Sequence, residues 1–267
     1  MIISEGQTAV ITGAASGIGL ALCHALSARG VNVVMADVND DALGEAATAV
    51  EQGGRGRALP VACDVSSWES VEQLAERAHA RFGDTHLLFN NAGVIPPRRA
   101  IWETPLEDWR WVFDVDVFGV VHGIRAFVPK MIEAGQPGHV VNTASIAGLL
   151  SYPLVAPYAA AKHAVVAITE ALRAGLADAG APIGASVLCP GLVATALHDT
   201  SNRLRPLGEP DAQGEPSEPA ALQQPEELAA FVLDRLSAGD FWLLPHDYSQ
   251  QFEAQTGEIL GAFPPVG

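Results

Sequence analysis

The sequence predicts an α/β fold in which a doubly wound parallel sheet carries helices on both faces. Short apolar segments of strand length alternate with longer helical patterns along most of the chain, as in proteins built from strand–helix–strand units. The chain has 267 residues, of which 49% are hydrophobic, so it can bury one large core. No linker rich in Pro, Gly or Ser divides it before residue 195, and we expect a single domain over residues 1–267.

The first strand and the first helix enclose a glycine-rich turn. The strand from Thr8 to Ile11 leads into Thr-Gly-Ala-Ala-Ser-Gly-Ile-Gly, and an apolar-periodic helix from Leu20 to Ala28 follows. Glycines at such a turn let the backbone approach a pyrophosphate, whose negative charge the helix N-terminus favours. The unit predicts a Rossmann-like dinucleotide site. Its candidate cofactor-binding residues are Gly13, Ser16, Gly17, Ile18 and Gly19.

The second predicted strand, from Val31 to Ala36, is followed at once by Asp37. A carboxylate at this position can accept hydrogen bonds from the free ribose hydroxyls of an adenosine, and it repels a 2′-phosphate. Asp37 therefore predicts NAD as the cofactor rather than NADP.

Lys162, one of only two lysines, lies four residues after Tyr158, one of only three tyrosines. On a helix these two side chains share a face. An ammonium beside a phenol favours the phenolate, so we expect the pKa of Tyr158 to lie well below its usual value of about 10. Such a tyrosine can act as a general acid and base near neutral pH. Taken alone, a pair at this spacing is more often a surface tyrosine with a solvated lysine.

Four further polar or glycine-containing segments follow predicted strands. They are Asp64-Val65 after an apolar strand, Asn90-Asn91-Ala92-Gly93 after Leu87 to Phe89, Ser145 after His139 to Thr143, and Pro190-Gly191-Leu192-Val193-Ala194-Thr195 after Ala185 to Leu188. Together with the glycine turn and the Tyr158/Lys162 pair, their order and spacing resemble the short-chain dehydrogenase/reductase family, in its single-domain form, over nearly the whole chain.

The resemblance implies a role for each motif. It implies that the adenine side of NAD is held by Asp64 and Val65. It implies that one wall of the cofactor site is formed by Asn91, Ala92 and Gly93, and that the nicotinamide end is bound by Pro190, Gly191, Val193 and Thr195. It also implies that Ser145, Tyr158 and Lys162 are catalytic, with Tyr158 and Lys162 touching the cofactor as well. Ser16 is not the basic residue that often accompanies NADP in the family.

The implied reaction is NAD(H)-dependent interconversion of a secondary alcohol and its ketone. Tyr158 would exchange the hydroxyl proton, Ser145 would hydrogen-bond the reacting oxygen, and Lys162 would lower the pKa of Tyr158 and bind the nicotinamide ribose. A hydroxyl that merely caps its loop is the structural alternative for Ser145. Two other functions stay open: a cofactor-binding sensor without turnover, and an epimerase that uses transient oxidation.

One position departs from the family pattern. Asp116 stands where the family usually has an asparagine whose backbone carbonyl holds a water leading to the lysine. An aspartate keeps that carbonyl, and a buried carboxylate near Lys162 would stabilise the ammonium while partly cancelling its pull on Tyr158. We therefore include Asp116 among the catalytic residues and expect activity with a pH optimum moved upward.

The substrate pocket is expected to be apolar, which suits a bulky secondary alcohol or ketone. Its candidate residues are Ile95, Ala147, Leu149, Tyr152, Leu192 and Leu197. Arg98 and Arg99 could hold an anionic substrate, although exposed arginines after a turn are usually just solvated. Proline and acidic residues cluster between Arg205 and Pro225, which predicts a mobile loop. The resemblance implies a substrate lid at this place, at about residues 195–225, and an insertion of no function is the alternative.

Composition argues against several partners. The formal net charge of −16 makes nucleic acids and acidic membranes poor partners, and the sequence shows no signal for secretion, membrane spanning or metal binding. We expect Cys23, Cys63 and Cys189 to be buried reduced thiols, as in a cytoplasmic protein. The helices predicted from Leu106 to Ile132 and from Ala159 to Asp178 carry surplus apolar surface, so we expect a homo-oligomer, a dimer or a tetramer.

Overall fold

The computed structural model describes residues 3–208 and 222–264. Its strands are β1 Thr8–Thr12, β2 Asn32–Asp37, β3 Ala58–Ala62, β4 Leu87–Asn90, β5 Gly138–Thr143, β6 Ile183–Leu188 and β7 Trp242–Leu243. Its α-helices are α1 Gly17–Ser27, α2 Asp40–Gly53, α3 Trp68–Phe82, α4 Leu106–Phe113, α5 Gly119–Ala134, α6 Ala156–Asp178, α7 Leu197–Leu204, α8 Pro225–Ala238 and α9 Ser249–Gly261.

Within the described residues the strands form one parallel sheet in the order β3-β2-β1-β4-β5-β6-β7. The central strands β1, β4 and β5 are buried on both faces, which is typical of parallel sheets covered by helices, whereas the edge strands β3 and β7 are partly exposed. In β1, for example, Val10 lies opposite Val34 in β2 and Leu88 in β4. The predicted doubly wound α/β fold is confirmed.

Helices cover both faces of the sheet. Alternate residues of β1 enter different cores: Ala9 and Ile11 pack with α1, α2 and α8, whereas Val10 packs with α3 and α5. The strand order reverses between β1 and β4. In sheets of this kind, ligands bind outside the carboxyl ends of the strands at such a switch point.

The helix predicted from Leu106 to Ile132 is interrupted. Helices α4 and α5 are separated by a π-helical turn over Asp114–Phe118, which a search for 3.6-residue periodicity does not detect. Asp116 lies in this turn and is completely buried, whereas Asp114 and Phe118 on either side are exposed. The remaining boundaries differ from the predicted ones by a few residues.

The three cysteines are buried and unpaired, as predicted. Burial raises the pKa of the Cys189 thiol to about 12.

None of the helices in the described part of the chain is long and apolar enough to cross a membrane. Within residues 3–208 and 222–264, no group of three or more His, Cys, Asp or Glu side chains is arranged to hold a metal ion.

His139 is buried near the start of β5, where its Nε2 lies 2.7 Å from Ser186 Oγ. Ser186 donates its own proton to the Asp240 carbonyl at 2.6 Å, so His139 must donate from Nε2. Burial lowers the pKa of His139 from 6.5 to about 4. The unfolded state therefore binds more protons between these two pH values, and stability is lost as pH falls through this window.

We expect this single histidine to make the protein about 2 kcal/mol less stable at pH 5 than at pH 7. Urea unfolding at both pH values measures the loss. His139→Gln, which keeps a donor, should reduce the pH dependence by this amount, whereas His24→Gln at an exposed histidine should not. Equal pH dependence in the wild type and in His139→Gln would contradict this explanation.

Candidate active site

Most of the sequence-predicted site residues lie at the carboxyl edge of the sheet, because they follow the ends of strands; Tyr158 and Lys162 come from α6 and Asp116 from the π-helical turn. Thr12, the last residue of β1, holds the loop after β4: its hydroxyl accepts hydrogen bonds from the backbone N–H groups of Asn91 at 2.9 Å and Ala92 at 3.0 Å. The Asn91 amide donates to the Thr12 carbonyl at 3.0 Å, and Thr143 at the end of β5 donates to Asn91 Oδ1 at 3.3 Å. Asn91 therefore ties three strand ends together.

The glycine turn leaves the N-terminus of α1 open. Ser16 is the N-cap residue, but its exposed side chain makes no capping hydrogen bond, so its hydroxyl is available to a phosphate group. Gly17 has φ +53°, a conformation that other residues rarely adopt. A side chain at Gly17 would also lie 3.1 Å from Thr195. The glycine turn and the loop after β6 therefore face each other, with Ile18, Gly19 and Gly13 at the base of the turn.

Asp37 at the end of β2 is held in a fixed orientation. Its Oδ2 accepts a hydrogen bond from the Ala15 backbone N–H at 3.0 Å, and its Oδ1 accepts one from Asn39 at 3.0 Å. A carboxylate has about four acceptor positions, so half of them remain for other donors. Asp37 thus stands beside the glycine turn with acceptor capacity left, which fits a ribose with two free hydroxyls.

The segment after β3 continues the same groove. Asp64 is exposed, and its Oδ1 accepts hydrogen bonds from the Ser66 backbone at 2.9 Å and the Ser66 hydroxyl at 2.7 Å. Val65 is buried, and its carbonyl lies 2.9 Å from His122 Nδ1 on α5. Three features together suit an adenine dinucleotide. They are the uncapped backbone N–H groups at the start of α1, the Asp37 carboxylate at the end of β2 and the loop after β3.

Ser145 lies beside the loop after β6. Its Oγ accepts a hydrogen bond from the Ala147 backbone N–H at 3.1 Å and approaches the Pro190 carbonyl at 3.5 Å. Ile146 donates to the same carbonyl at 2.8 Å. The Ser145 hydroxyl therefore does cap its loop, as the structural alternative has it, and it also lies close enough to Tyr158 to lower the pKa of the phenol.

Tyr158 and Lys162 lie on one face of α6, as their spacing predicts. The Lys162 ammonium is 5.4 Å from the centre of the Tyr158 ring. Its Nζ donates to the Thr143 carbonyl at 3.1 Å and forms an ion pair with Asp116 Oδ2 at 3.1 Å. Both charged side chains are almost completely buried. Asp116 Oδ1 also accepts a hydrogen bond from the Val94 backbone N–H at 2.8 Å.

These contacts determine how the three groups titrate. Burial lowers the pKa of Lys162, but the Asp116 and Tyr158 charges raise it more, so the net direction is upward. Burial raises the pKa of Asp116 despite the opposing charge of Lys162. Burial also raises the pKa of Tyr158; Lys162 lowers it and Asp116 raises it again, with a net increase. The predicted lowering of the Tyr158 pKa is therefore wrong, because burial of the phenol raises the pKa and the Asp116 charge offsets part of the effect of Lys162.

The pocket candidates lie on loops that contact one another. Ile95 donates its backbone N–H to Ser201 on α7 at 3.0 Å, and Leu197 begins that helix. Arg99, on the segment after Ile95, donates its backbone N–H to the Leu154 carbonyl at 2.9 Å. The other four candidates follow Ser145 or Gly191. They are Ala147, Leu149, Tyr152 and Leu192.

Helix α7, within the predicted lid, is anchored by a buried ion pair. The Arg205 guanidinium binds both carboxylate oxygens of Asp108 on α4, at 2.7 and 2.8 Å. A two-point arginine–carboxylate contact is strong and fixes orientation. The described part of the lid, up to residue 208, is therefore held against α4. Residues 209–221 of the predicted lid lie outside the described residues.

Sequence reasoning missed one segment next to the site. His246 Nδ1 accepts a hydrogen bond from the Gly191 backbone N–H at 3.1 Å. Gln255 on α9 donates to the Leu149 carbonyl at 3.2 Å. Neither residue belongs to a motif or follows a strong periodicity, so only the fold reveals that residues 246–255 lie beside the pocket candidates.

The comparisons with known proteins agree with this geometry. A family model described as short chain dehydrogenase matches residues 7–205. The 1-deoxy-11-beta-hydroxypentalenate dehydrogenase of Streptomyces exfoliatus is 40% identical over 90% of this chain and 82% of its own length. The cyclohexanol dehydrogenase of Acinetobacter sp. (strain SE19) is 35% identical over 87% of this chain and 88% of its own length.

Among solved structures, a short chain dehydrogenase/reductase from Burkholderia phymatum in complex with NAD superimposes with a TM-score of 0.88 and 35% identity, covering 100% of this chain and 99% of the other. The whole fold of the chain is thus shared with a solved short-chain dehydrogenase/reductase. The chain belongs to the short-chain dehydrogenase family and is an oxidoreductase.

Proposed function

We propose that the protein is an NAD(H)-dependent dehydrogenase that interconverts an apolar secondary alcohol and its ketone. The observation that carries this proposal is the Ser145, Tyr158 and Lys162 cluster next to an open glycine turn. A protein that only sensed the cofactor would need no proton donor or acceptor at this position.

Each residue has a distinct part in the reaction. In alcohol oxidation, the phenolate of Tyr158 accepts the hydroxyl proton while Ser145 hydrogen-bonds the same oxygen and holds it in place. NAD, when bound, accepts the hydride from the carbinol carbon, which becomes a carbonyl carbon. In reduction, neutral Tyr158 returns the proton. Because the pKa of Tyr158 is raised, we expect oxidation to be fastest in alkaline solution.

NAD is proposed over NADP because Asp37 is fixed beside the glycine turn, and because a similar structure contains NAD.

We expect Asp37→Ala to lower the ratio of kcat/KM with NAD to that with NADP by at least about tenfold, since the repulsion of a 2′-phosphate is removed. Steady-state kinetics with both cofactors measure this ratio. Asp41→Ala, which removes an exposed carboxylate from the first turn of α2, is the control. An unchanged ratio in Asp37→Ala would contradict the assignment of NAD as the cofactor.

An apolar, cyclic secondary alcohol is the proposed substrate. The pocket candidates are mostly aliphatic, and Leu192 is 57% exposed beside Gly191. One of the relatives is named for cyclohexanol. The segment around α7 is proposed as the substrate lid, and Asp108 and Arg205 are its anchor.

We propose that the chain folds as one domain and works as a homodimer or homotetramer in the cytoplasm, where free thiols persist. The oligomer is supported by small residues at heptad spacing on α6, which let a second helix approach closely. Ala167, Ala171 and Ala174 are exposed, and the other two members of the stripe are half-buried. Its members are Ala160, Ala164, Ala167, Ala171 and Ala174.

Light scattering is expected to show a dimer or tetramer for the wild type. Ala171→Arg should lower the measured molar mass toward that of a smaller oligomer or the monomer, because a long charged side chain would separate the packed helices. Ala49→Arg, at an exposed alanine of α2, should leave the assembly unchanged. A monomeric wild type would rule out this interface.

The proposed function is tested by mixing the protein and NAD with a panel of secondary alcohols at alkaline pH and following NADH absorbance. Formation of NADH and ketone together supports it. Changed substrate with no net NADH would indicate the epimerase alternative instead. Binding of NADH with no turnover of any alcohol or matching ketone would indicate the cofactor-sensing alternative.

A further inference from the structure

Two tyrosines besides Tyr158 lie close to each other on segments that border the site. Tyr158 is the proposed acid and base, and Tyr152 lies six residues before it on the loop that carries Leu149. Tyr248 comes from the distant segment between β7 and α9. Tyr152 and Tyr248 are close enough for the second phenol to raise the pKa of the first, after burial.

Tyr248 reaches the site because residue 191 is a glycine. A side chain at Gly191 would lie 2.6 Å from the Tyr248 hydroxyl oxygen and 3.0 Å from its ring, so only glycine permits this approach. Gly191 follows Pro190, whose carbonyl faces the Ser145 hydroxyl. The Tyr248 hydroxyl thus lies one peptide away from the group that the catalytic serine touches.

The segment that carries Tyr248 is fixed at both ends. His246 accepts the Gly191 backbone N–H, and Gln255 donates to the Leu149 carbonyl. Helix α9 itself has no buried residue among those described, so this segment does not serve mainly to complete the core. It bridges the loop beside the proposed nicotinamide site and the loop beside the proposed substrate site.

The Tyr248 hydroxyl has no hydrogen-bond partner among residues 3–208 and 222–264. A partly buried phenol usually finds one, and it can both donate and accept. Two polar groups lie next to Tyr248 in the chain. Burial lowers the pKa of His246, which favours its neutral form, and Asp247, a carboxylate itself, accepts from the Ser249 backbone N–H at 3.0 Å. The environment suits an uncharged oxygen rather than a carboxylate.

We infer that Tyr248, with Tyr152 beside it, binds a second, uncharged oxygen of the substrate, a hydroxyl or carbonyl group away from the reacting carbon. Tyr248 is then the residue that determines which cyclic secondary alcohols are preferred. This inference rests on the proposed dehydrogenase function and narrows its substrate class to diols and hydroxyketones. Residues 246–255 lie beyond the region that the family model matches.

The test compares cyclohexanol with the 1,2-, 1,3- and 1,4-cyclohexanediols as substrates for the wild type, Tyr248→Phe and Tyr152→Phe. We expect the wild type to prefer one diol over cyclohexanol by about tenfold in kcat/KM, the value of one hydrogen bond. Tyr248→Phe keeps the ring and should remove most of this preference while leaving cyclohexanol oxidation and the KM for NAD within about twofold. Tyr152→Phe should reduce the same preference by a smaller factor.

Three results would overturn the inference. A wild type that oxidises cyclohexanol but shows no preference for any diol excludes a second oxygen site. Equal losses for cyclohexanol and the diols in Tyr248→Phe would assign a merely structural role to the hydroxyl. If the wild type oxidises no alcohol of the panel, the proposed function fails, and this inference fails with it.

Discussion

Replacing Tyr158 with phenylalanine is expected to lower kcat for alcohol oxidation by about 10³-fold, the usual contribution of a positioned general acid or base. The ring remains in place on α6, so the packing of the helix is kept and only the proton acceptor is lost. Ser145 and Lys162 cannot replace it, because a neutral serine hydroxyl is a poor proton acceptor and the Lys162 ammonium, paired with Asp116, has no acceptor position.

Steady-state kinetics with NAD and the best alcohol of the panel measure this loss, and fluorescence titration with NADH serves as the binding control. We expect the affinity for NADH to change little, since the variant keeps the Tyr158 ring and removes only its hydroxyl. Tyr152→Phe, assayed with cyclohexanol, is the matched control, because it removes a hydroxyl from a neighbouring tyrosine that is not proposed to transfer the proton and cyclohexanol has no second oxygen for it to bind. Activity of Tyr158→Phe within tenfold of the wild type would show that another group carries the proton.

The second large effect concerns Asp116. We expect Asp116→Asn to move the acidic limb of the pH profile of kcat/KM to lower pH, because the carboxylate raises the pKa of Tyr158. Tyr158 acts as phenolate in oxidation, so a lower pKa makes the active form available at lower pH. Lys162 keeps its hydrogen bond to the Thr143 carbonyl, and an asparagine oxygen can still accept from it.

The profile is measured from pH 6 to pH 11 in buffers of constant ionic strength. Asp114→Asn is a close control: it removes the same charge from the same π-helical turn, but its side chain is exposed. We expect its profile to match that of the wild type. An unchanged profile in Asp116→Asn, or a shift to higher pH, would remove Asp116 from the catalytic cluster and leave it a structural role.

The sheet and the glycine turn could be predicted because their signals are local. Strands such as Leu87–Asn90 are short, mostly apolar runs, and the turn before α1 is formed by residues that are consecutive in the chain. Tyr158 and Lys162 are four residues apart on one helix, so their juxtaposition could be predicted as well. The chemistry of the pair could not, because the sign of the Tyr158 pKa shift depends on burial and on Asp116, which lies on another element.

Contacts between distant parts of the chain were beyond sequence reasoning. Asp108 and Arg205 are 97 residues apart, and neither belongs to a motif, yet they form the buried pair that holds α7. Tyr248 reaches Gly191 only because β7 lies beside β6 in the sheet. The π-helical turn at Asp116 could not be predicted for a different reason: an analysis of hydrophobic periodicity assumes a regular α-helix.

The central claim is that a hydride passes from the carbinol carbon of a secondary alcohol to NAD at this site. The most direct test uses the best alcohol of the panel with deuterium at the carbinol carbon, followed by mass spectrometry of the reduced cofactor. Our account predicts that the NADH formed carries one deuterium and that Tyr158→Phe forms almost none. Unlabelled NADH, or labelled NADH formed equally well by Tyr158→Phe, would contradict it.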